Sequence, residues 1–154
     1  MASISYEEIF SNFLGSITDY DLQENLSLSD SNMLMTEYLH KALAEPHVYR
    51  LFSTRKLDDN VQLFEYEMAT PIEDIDNEFV ATALAKWMVY EWLHKQVRNV
   101  TNTSMFFGSK EQKYYSQSQH LSELRALQND AFAEAKNFIL QRGYINNSYL
   151  DGGV

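Results

Sequence analysis

The stretch DNEFVATALAKWMVYEWLHKQVR, Asp76 to Arg98, decides how this chain is read. Phe79, Val80, Ala83, Leu84, Trp87, Met88, Tyr90 and Val97 recur at helical spacing, so one long helix is predicted over 77–98 with the core built around it. Thr70, Pro71 and Glu73 supply one helix-start signal and Asp76 a second. Trp87 and Trp92 fall about 140° apart on such a helix. On this reading Trp87 belongs to the core and Trp92 is free for a subunit contact, where tryptophan is enriched.

Working outward, Ser5 and Glu8 have capping-box spacing ahead of Tyr6, Ile9, Phe10 and Phe13, which predicts a helix over 6–15 closed by Gly15. Residues 16–28 lack a sustained period and read as a connection anchored by Ile17, Tyr20 and Leu22. Leu34, Met35, Tyr38, Leu39, Ala42 and Leu43 predict a second helix over 30–44, capped by Ser29 or Asp30 and stopped by Pro46. From His47 to Met68 the helical signal fades. There Asp58, Asp59 and Asn60 mark a turn, and the alternation of Gln62, Phe64, Tyr66 and Met68 with Val61, Leu63, Glu65 and Glu67 predicts a short strand or extended arm near 61–68. Asn99 to Gly108 is a polar connection with an apolar insert, Met105, Phe106 and Phe107, that needs a partner. Tyr114, Leu121, Leu124, Ala131, Ala135, Phe138 and Ile139 then predict a last helix over 110–142, ended by Gly143 and about 50 Å long. The expected architecture is a mainly all-α bundle over 1–142 with two long helices and a short extended or strand segment near 61–68, followed by an extended C-terminal tail over 143–154. The expected core includes Phe10, Phe13, Leu39, Leu84, Trp87, Met88, Leu121 and Leu124. Met33, Met35 and Met88 read as core filler.

Composition narrows the function. The 154 residues suit one domain with one core. Twelve Lys and Arg against 22 Asp and Glu give a net charge of −10, which argues against a surface that grips nucleic acid. The absence of cysteine excludes disulfides and thiolate metal sites. No run of about 18 apolar residues suggests a membrane span, and Met1 to Phe10 lacks a secretory pattern, so the chain is expected to stay in the compartment that makes it. Asn99-Val100-Thr101 and Asn102-Thr103-Ser104 match the glycosylation sequon and carry no meaning without a secretory signal. With only five glycines there is no phosphate loop and no nucleophile elbow. No catalytic residue, metal ligand or cofactor is therefore assigned, and the chain is expected not to be an enzyme.

The sharpest chemical alternative rests on Glu37-Tyr38-Leu39-His40 and Glu91-Trp92-Leu93-His94. Both fit Glu-x-x-His, which sets carboxylate and imidazole on one helix face in di-metal carboxylate bundles. The order is wrong for that architecture, because the two matches fall on successive helices with no alternating lone Glu helix between them. Solvated helix faces explain these four residues more simply. His47 and His120 lack a relay partner at helical spacing and read as surface or interface residues. A small helical regulatory binding module is the other alternative.

Residues Tyr6 to Leu14 (YEEIFSNFL), Ile17 to Leu22 (ITDYDL), Met88 to Leu93 (MVYEWL) and Tyr114 to Leu121 (YYSQSQHL), in this order and spacing, resemble the head-to-tail adaptor proteins of long-tailed bacteriophages. The resemblance runs from residue 6 to about 142 and is not carried by His47 to Tyr66 or by the tail after Gly143. It implies a structural virion protein, assembled in the host cytoplasm. Copies would form a homo-oligomeric ring, a dodecamer, between the capsid portal protein and the next neck, stopper or tail protein, with DNA only in passage and no membrane contact. Tyr144, Ile145, Tyr149 and Leu150 then become expected docking residues against the portal or a neighbouring copy. Trp92, Met105, Phe106 and Phe107 become expected subunit or tail-side contacts.

Overall fold

The fold, taken from a computed structural model, is described over residues 2–17, 28–70, 76–106 and 111–145, with side chains over 2–17, 31–70, 76–98 and 119–142. In chain order it contains β1 (Ala2–Ser5), α1 (Tyr6–Ser16), α2 (Leu28–Ala44), α3 (Pro46–Tyr49), β2 (Phe52–Asp58), β3 (Leu63–Met68), α4 (Asp76–Phe106) and α5 (Glu111–Ile145). The expected all-α bundle is corrected by these elements. Alongside five helices, the described residues form an antiparallel three-stranded sheet of order β1-β3-β2, so the fold is mixed α/β. No helix among the described residues is long and apolar enough to cross a membrane.

The sheet was partly hidden for identifiable reasons. β3 matches the predicted strand: Phe64, Tyr66 and Met68 are its buried alternate residues. β2 has only Phe52 and Leu57 as apolar members and carries Arg55 and Lys56, the composition of an edge strand. β1 is four residues long and buries only Ile4, opposite Phe64. Both strands owe their existence to pairing with β3, which a local pattern does not record. Within the hairpin, Asp58 accepts hydrogen bonds from the Asn60 and Val61 backbone N–H groups at 3.1 and 3.3 Å. Gln62 takes a left-handed φ of 53°, a conformation disfavoured for a residue with a Cβ. Its carbonyl accepts the Tyr6 N–H at 2.9 Å, joining the strained turn to the first turn of α1.

α1 follows its predicted course. The Ser5 hydroxyl accepts the Glu8 N–H, and Tyr6, Ile9, Phe10 and Phe13 are buried. The helix runs one residue past Gly15 to Ser16. α2 begins at Leu28, ahead of the expected cap, and ends at Ala44, before Pro46. Pro46 itself opens α3, a single turn for which proline is suited at the first position. On α2, Met35 is buried but Met33 is 71% exposed, which corrects its reading as core filler.

α4 is central. It packs on α1 and α2 along one side and on α5 along another, and β1 touches it as well. Val80, Ala81, Ala83, Leu84, Ala85, Trp87, Met88, Trp92 and Leu93 are all buried, and at helical spacing they cover nearly the whole circumference. This overturns the separate roles expected for its two tryptophans: Trp87 is 0% and Trp92 3% exposed, so Trp92 is a core residue and not a free subunit contact. The 140° between them matters little on a helix covered from several directions. α4 also continues past Arg98 to Phe106, where a connection was expected, and α5 continues over Gly143 to Ile145. Phe10, Phe13, Leu39, Leu84, Met88 and Leu124 lie in the same core, while Leu121 is half-buried.

Because both tryptophans are enclosed, Trp87→Ala and Trp92→Ala should each lower the unfolding free energy by about 3–5 kcal/mol in chemical denaturation. A Trp92→Ala protein as stable as the parent would return Trp92 to the surface.

Candidate functional site

The polar side chains gather along three seams. The first joins the hairpin tip to the helices. Asp59, in the turn, accepts the Tyr6 hydroxyl at 2.6 Å, and both of its carboxylate oxygens lie 3.0 Å from His40 Nε2. These two hydrogen bonds hold the Asp59 carboxyl below its ordinary pKa, the Tyr6 bond contributing most. Burial, reinforced by Asp59, pushes the Tyr6 phenol well above its ordinary value. Three elements distant in sequence are clasped at one carboxylate.

The second seam lies between α4 and α5, which run antiparallel. Asp76 meets Arg142, Phe79 meets Phe138, Lys86 meets Glu134, Trp87 meets Phe132 and His94 meets Gln128. Arg142, 5% exposed, forms an ion pair of 2.8 Å with Asp76, donates to the Thr70 carbonyl at 2.7 Å and lies over the Phe79 ring. Phe79 stacks on Phe138 with centroids 5.1 Å apart, and Lys86 lies over Phe138 while pairing with Glu134 at 2.6 Å. Two cations thus flank a stacked pair of rings along one edge of the helix pair. Beside them Tyr66 donates its hydroxyl to Asn77 Oδ1, and burial raises its pKa to about 12. The arrangement fixes where α5 ends relative to where α4 begins.

The third seam runs through α3. His47, expected at a surface or interface, is half-buried: its ring stacks on Trp87 at 5.9 Å and meets Phe132 edge-on, and Nδ1 lies 2.8 Å from Glu45 Oε1. The missed signal was the Glu45–His47 spacing across Pro46, which is not a helical spacing. His120 is exposed.

The two Glu-x-x-His pairs do not converge. Glu37 pairs with Lys41 at 3.0 Å, His40 turns to Asp59, and His94 Nδ1 accepts from the Gln128 side chain at 2.8 Å. Glu91 is partly buried, and desolvation raises its pKa above the ordinary carboxylate value, opposed by His94 and Lys41. Among the described residues, no group of three or more His, Asp or Glu side chains is placed to hold a metal ion.

Of the expected contact residues, Trp92 is in the core. Met105 and Phe106 form the last turn of α4, and Tyr144 and Ile145 the end of α5, with side chains outside the described ones. Phe107, Tyr149 and Leu150, like the expected anchors Tyr20 and Leu22, lie outside the described residues. The expectation that Gly143 ends the helix is corrected, because the helix carries Tyr144 and Ile145 onward from the Arg142 anchor.

Two outcomes follow from these seams. Arg142→Ala leaves the Asp76 carboxylate, 11% exposed, without its cation, and should cost about 3–5 kcal/mol in denaturant unfolding. Glu91 has a folded-state pKa above its unfolded value, so the folded state holds the proton more tightly. Its contribution is favourable below the unfolded pKa and is lost as pH rises through the folded pKa. Glu91→Gln should therefore raise the melting temperature at neutral pH and leave it unchanged below about pH 4; equal shifts at both would contradict this. Comparison with family models, curated proteins and solved structures gives no match to this chain.

Proposed function

We propose that the chain is a structural subunit of a bacteriophage head-to-tail connector, a ring of copies between the capsid portal and the next neck or tail protein. The resemblance of residues 6–14, 17–22, 88–93 and 114–121 to adaptor proteins supports this reading, and α5 carries it structurally. α5 is 35 residues long, about 50 Å, and it packs chiefly on α4, with α3 and the Thr70 carbonyl also touching it. Its other side, through Ala126, Asp130, Ala133 and Asn137, is exposed, with Leu127 and Leu140 on the flanks at 42% and 46%. A helix of this length covered on one side suits a subunit that meets copies of itself and other proteins.

On this reading the protein is a virion component assembled in the host cytoplasm, without a cofactor or a catalytic role. Its partners are its own copies, the portal protein and the next neck, stopper or tail protein. The net charge of −10 serves DNA passage: a ring of acidic copies repels the polyanion sliding through its channel. Arg50, Arg55 and Lys56 lining the lumen of an assembled ring would contradict that role. Residues 146–154, with Tyr149 and Leu150, follow the anchored end of α5 and dock against the portal or a neighbouring copy.

Light scattering with and without a portal ring tests the reading, which requires a stoichiometric ring complex with the portal. Deleting residues 146–154 should leave the melting transition unchanged and weaken attachment to filled capsids. Infectious particles at normal yield from the truncated chain would rule out docking by this segment.

A further inference from the structure

β2 is the outer strand on one side of the sheet. Among the described residues β3 is the only strand paired with it, so the backbone N–H and C=O groups of its outer edge have no strand partner. Such an edge is a template for further pairing unless something covers it. Its side chains are unusual for this chain. Arg50 just ahead of the strand and Arg55 and Lys56 within it place three of the 12 cations within seven residues, with no acid among them and Asp58 closing the strand. None of the three is in an ion pair among the described residues. Arg55 lies face-on over the half-exposed Tyr49 ring, 3.2 Å from its centroid, and such stacking leaves a guanidinium's edge donors unused. Glu65 on β3 is Lys56's cross-strand neighbour but lies beyond ion-pairing distance, and Glu67 accepts from Thr54.

β1 forms the opposite edge, and its exposed Ala2, Ser3 and Ser5 lead directly into exposed Glu7 and Glu8 in the first turn of α1. The sheet therefore carries two cations on its β2 edge, and a pair of acids in the first turn of α1 lies just beyond its β1 edge. Two bodies of charge −10 repel in most orientations, and association is favoured where local cations meet local acids. Different, complementary surfaces on opposite sides of one subunit make a head-to-tail contact, the kind that closes into a ring.

We propose that copies of this chain join edge to edge, the Arg55–Lys56 side of β2 in one copy meeting the β1 side and Glu7–Glu8 of the next. The inference rests on the ring reading and names its contact. The occupant of the β2 edge is a second copy, selected by charge and by the open backbone groups of the strand.

Sedimentation of the intact chain, alone and with a portal ring, tests this with the parent, Lys56→Glu, a double Arg55→Glu/Lys56→Glu variant and a quadruple variant adding Glu7→Lys and Glu8→Lys. Both charge reversals should weaken association about tenfold or more, added salt should weaken the parent, and the quadruple variant should regain assembly. Lys56→Glu, at an exposed position, carries the test if circular dichroism shows that the double variant does not fold. Reversal variants that assemble like the parent overturn this contact and leave the ring intact. A parent that stays monomeric in both settings overturns the ring and the contact together. Binding of a labelled DNA duplex that is lost on Arg55→Glu/Lys56→Glu would assign the edge to a polyanion and overturn the inference.

Discussion

Enclosure of α4 is the constraint on which the rest of the structure depends. A helix with apolar residues around most of its circumference is stable in water only if neighbours reach it from several directions. α1 and α2 cover one side, α5 another, and β1 reaches it from the sheet. Alanines 81, 83 and 85 let these neighbours approach closely, while Trp87, Met88 and Trp92 fill the space between them. A bundle of four helices in sequence order would not supply the same cover, because α1 is only 11 residues long. The sheet makes up the difference by burying Ile4, Phe52, Phe64, Tyr66 and Met68 in the same continuous core.

The packing is held in register by a few polar contacts at its edges. Asp59 draws together α1, α2 and the hairpin tip, through the buried Tyr6 and the half-exposed His40. At the other pole Arg142 is nearly buried, and its pairing with Asp76 and the Thr70 carbonyl joins the end of α5, the start of α4 and the exit of β3. A buried ion pair gains little net stability over apolar packing, yet it tolerates few alternative alignments because a slipped helix would leave a charge unpaired. Arg142 therefore suits a role in fixing alignment. It also gives the segment that follows α5 a defined point of departure.

The same economy governs the surface. The imidazoles and carboxylates that looked like metal ligands are used within the fold: His40 by the hairpin, His94 by α5, Glu37 by a lysine one turn away. The free capacity for interaction lies instead on α5's outward side and on the sheet edges, where surface and backbone groups remain uncovered. Both are features suited to association with other polypeptides.

Periodicity in the sequence located α1, α2, α4, α5 and β3 to within a few residues at most ends, because burial on one side or all round leaves a local repeat of apolar residues. Phe10, Phe13, Leu39, Leu84, Trp87 and Met88 were legible as core for the same reason. It did not disclose β1 or β2, which exist through pairing with a distant strand, or the extension of α4 through residues 99–106, whose polar composition carries no period. Nor did it place Trp92: a helical wheel gives directions around one axis, and only the tertiary arrangement sets how many of those directions are occupied. The clasp at Asp59 and the Asp76–Arg142 pair were equally hidden. They join residues 53 and 66 positions apart, and the hydrogen bond and ion pair that define them arise only after the chain has folded back on itself.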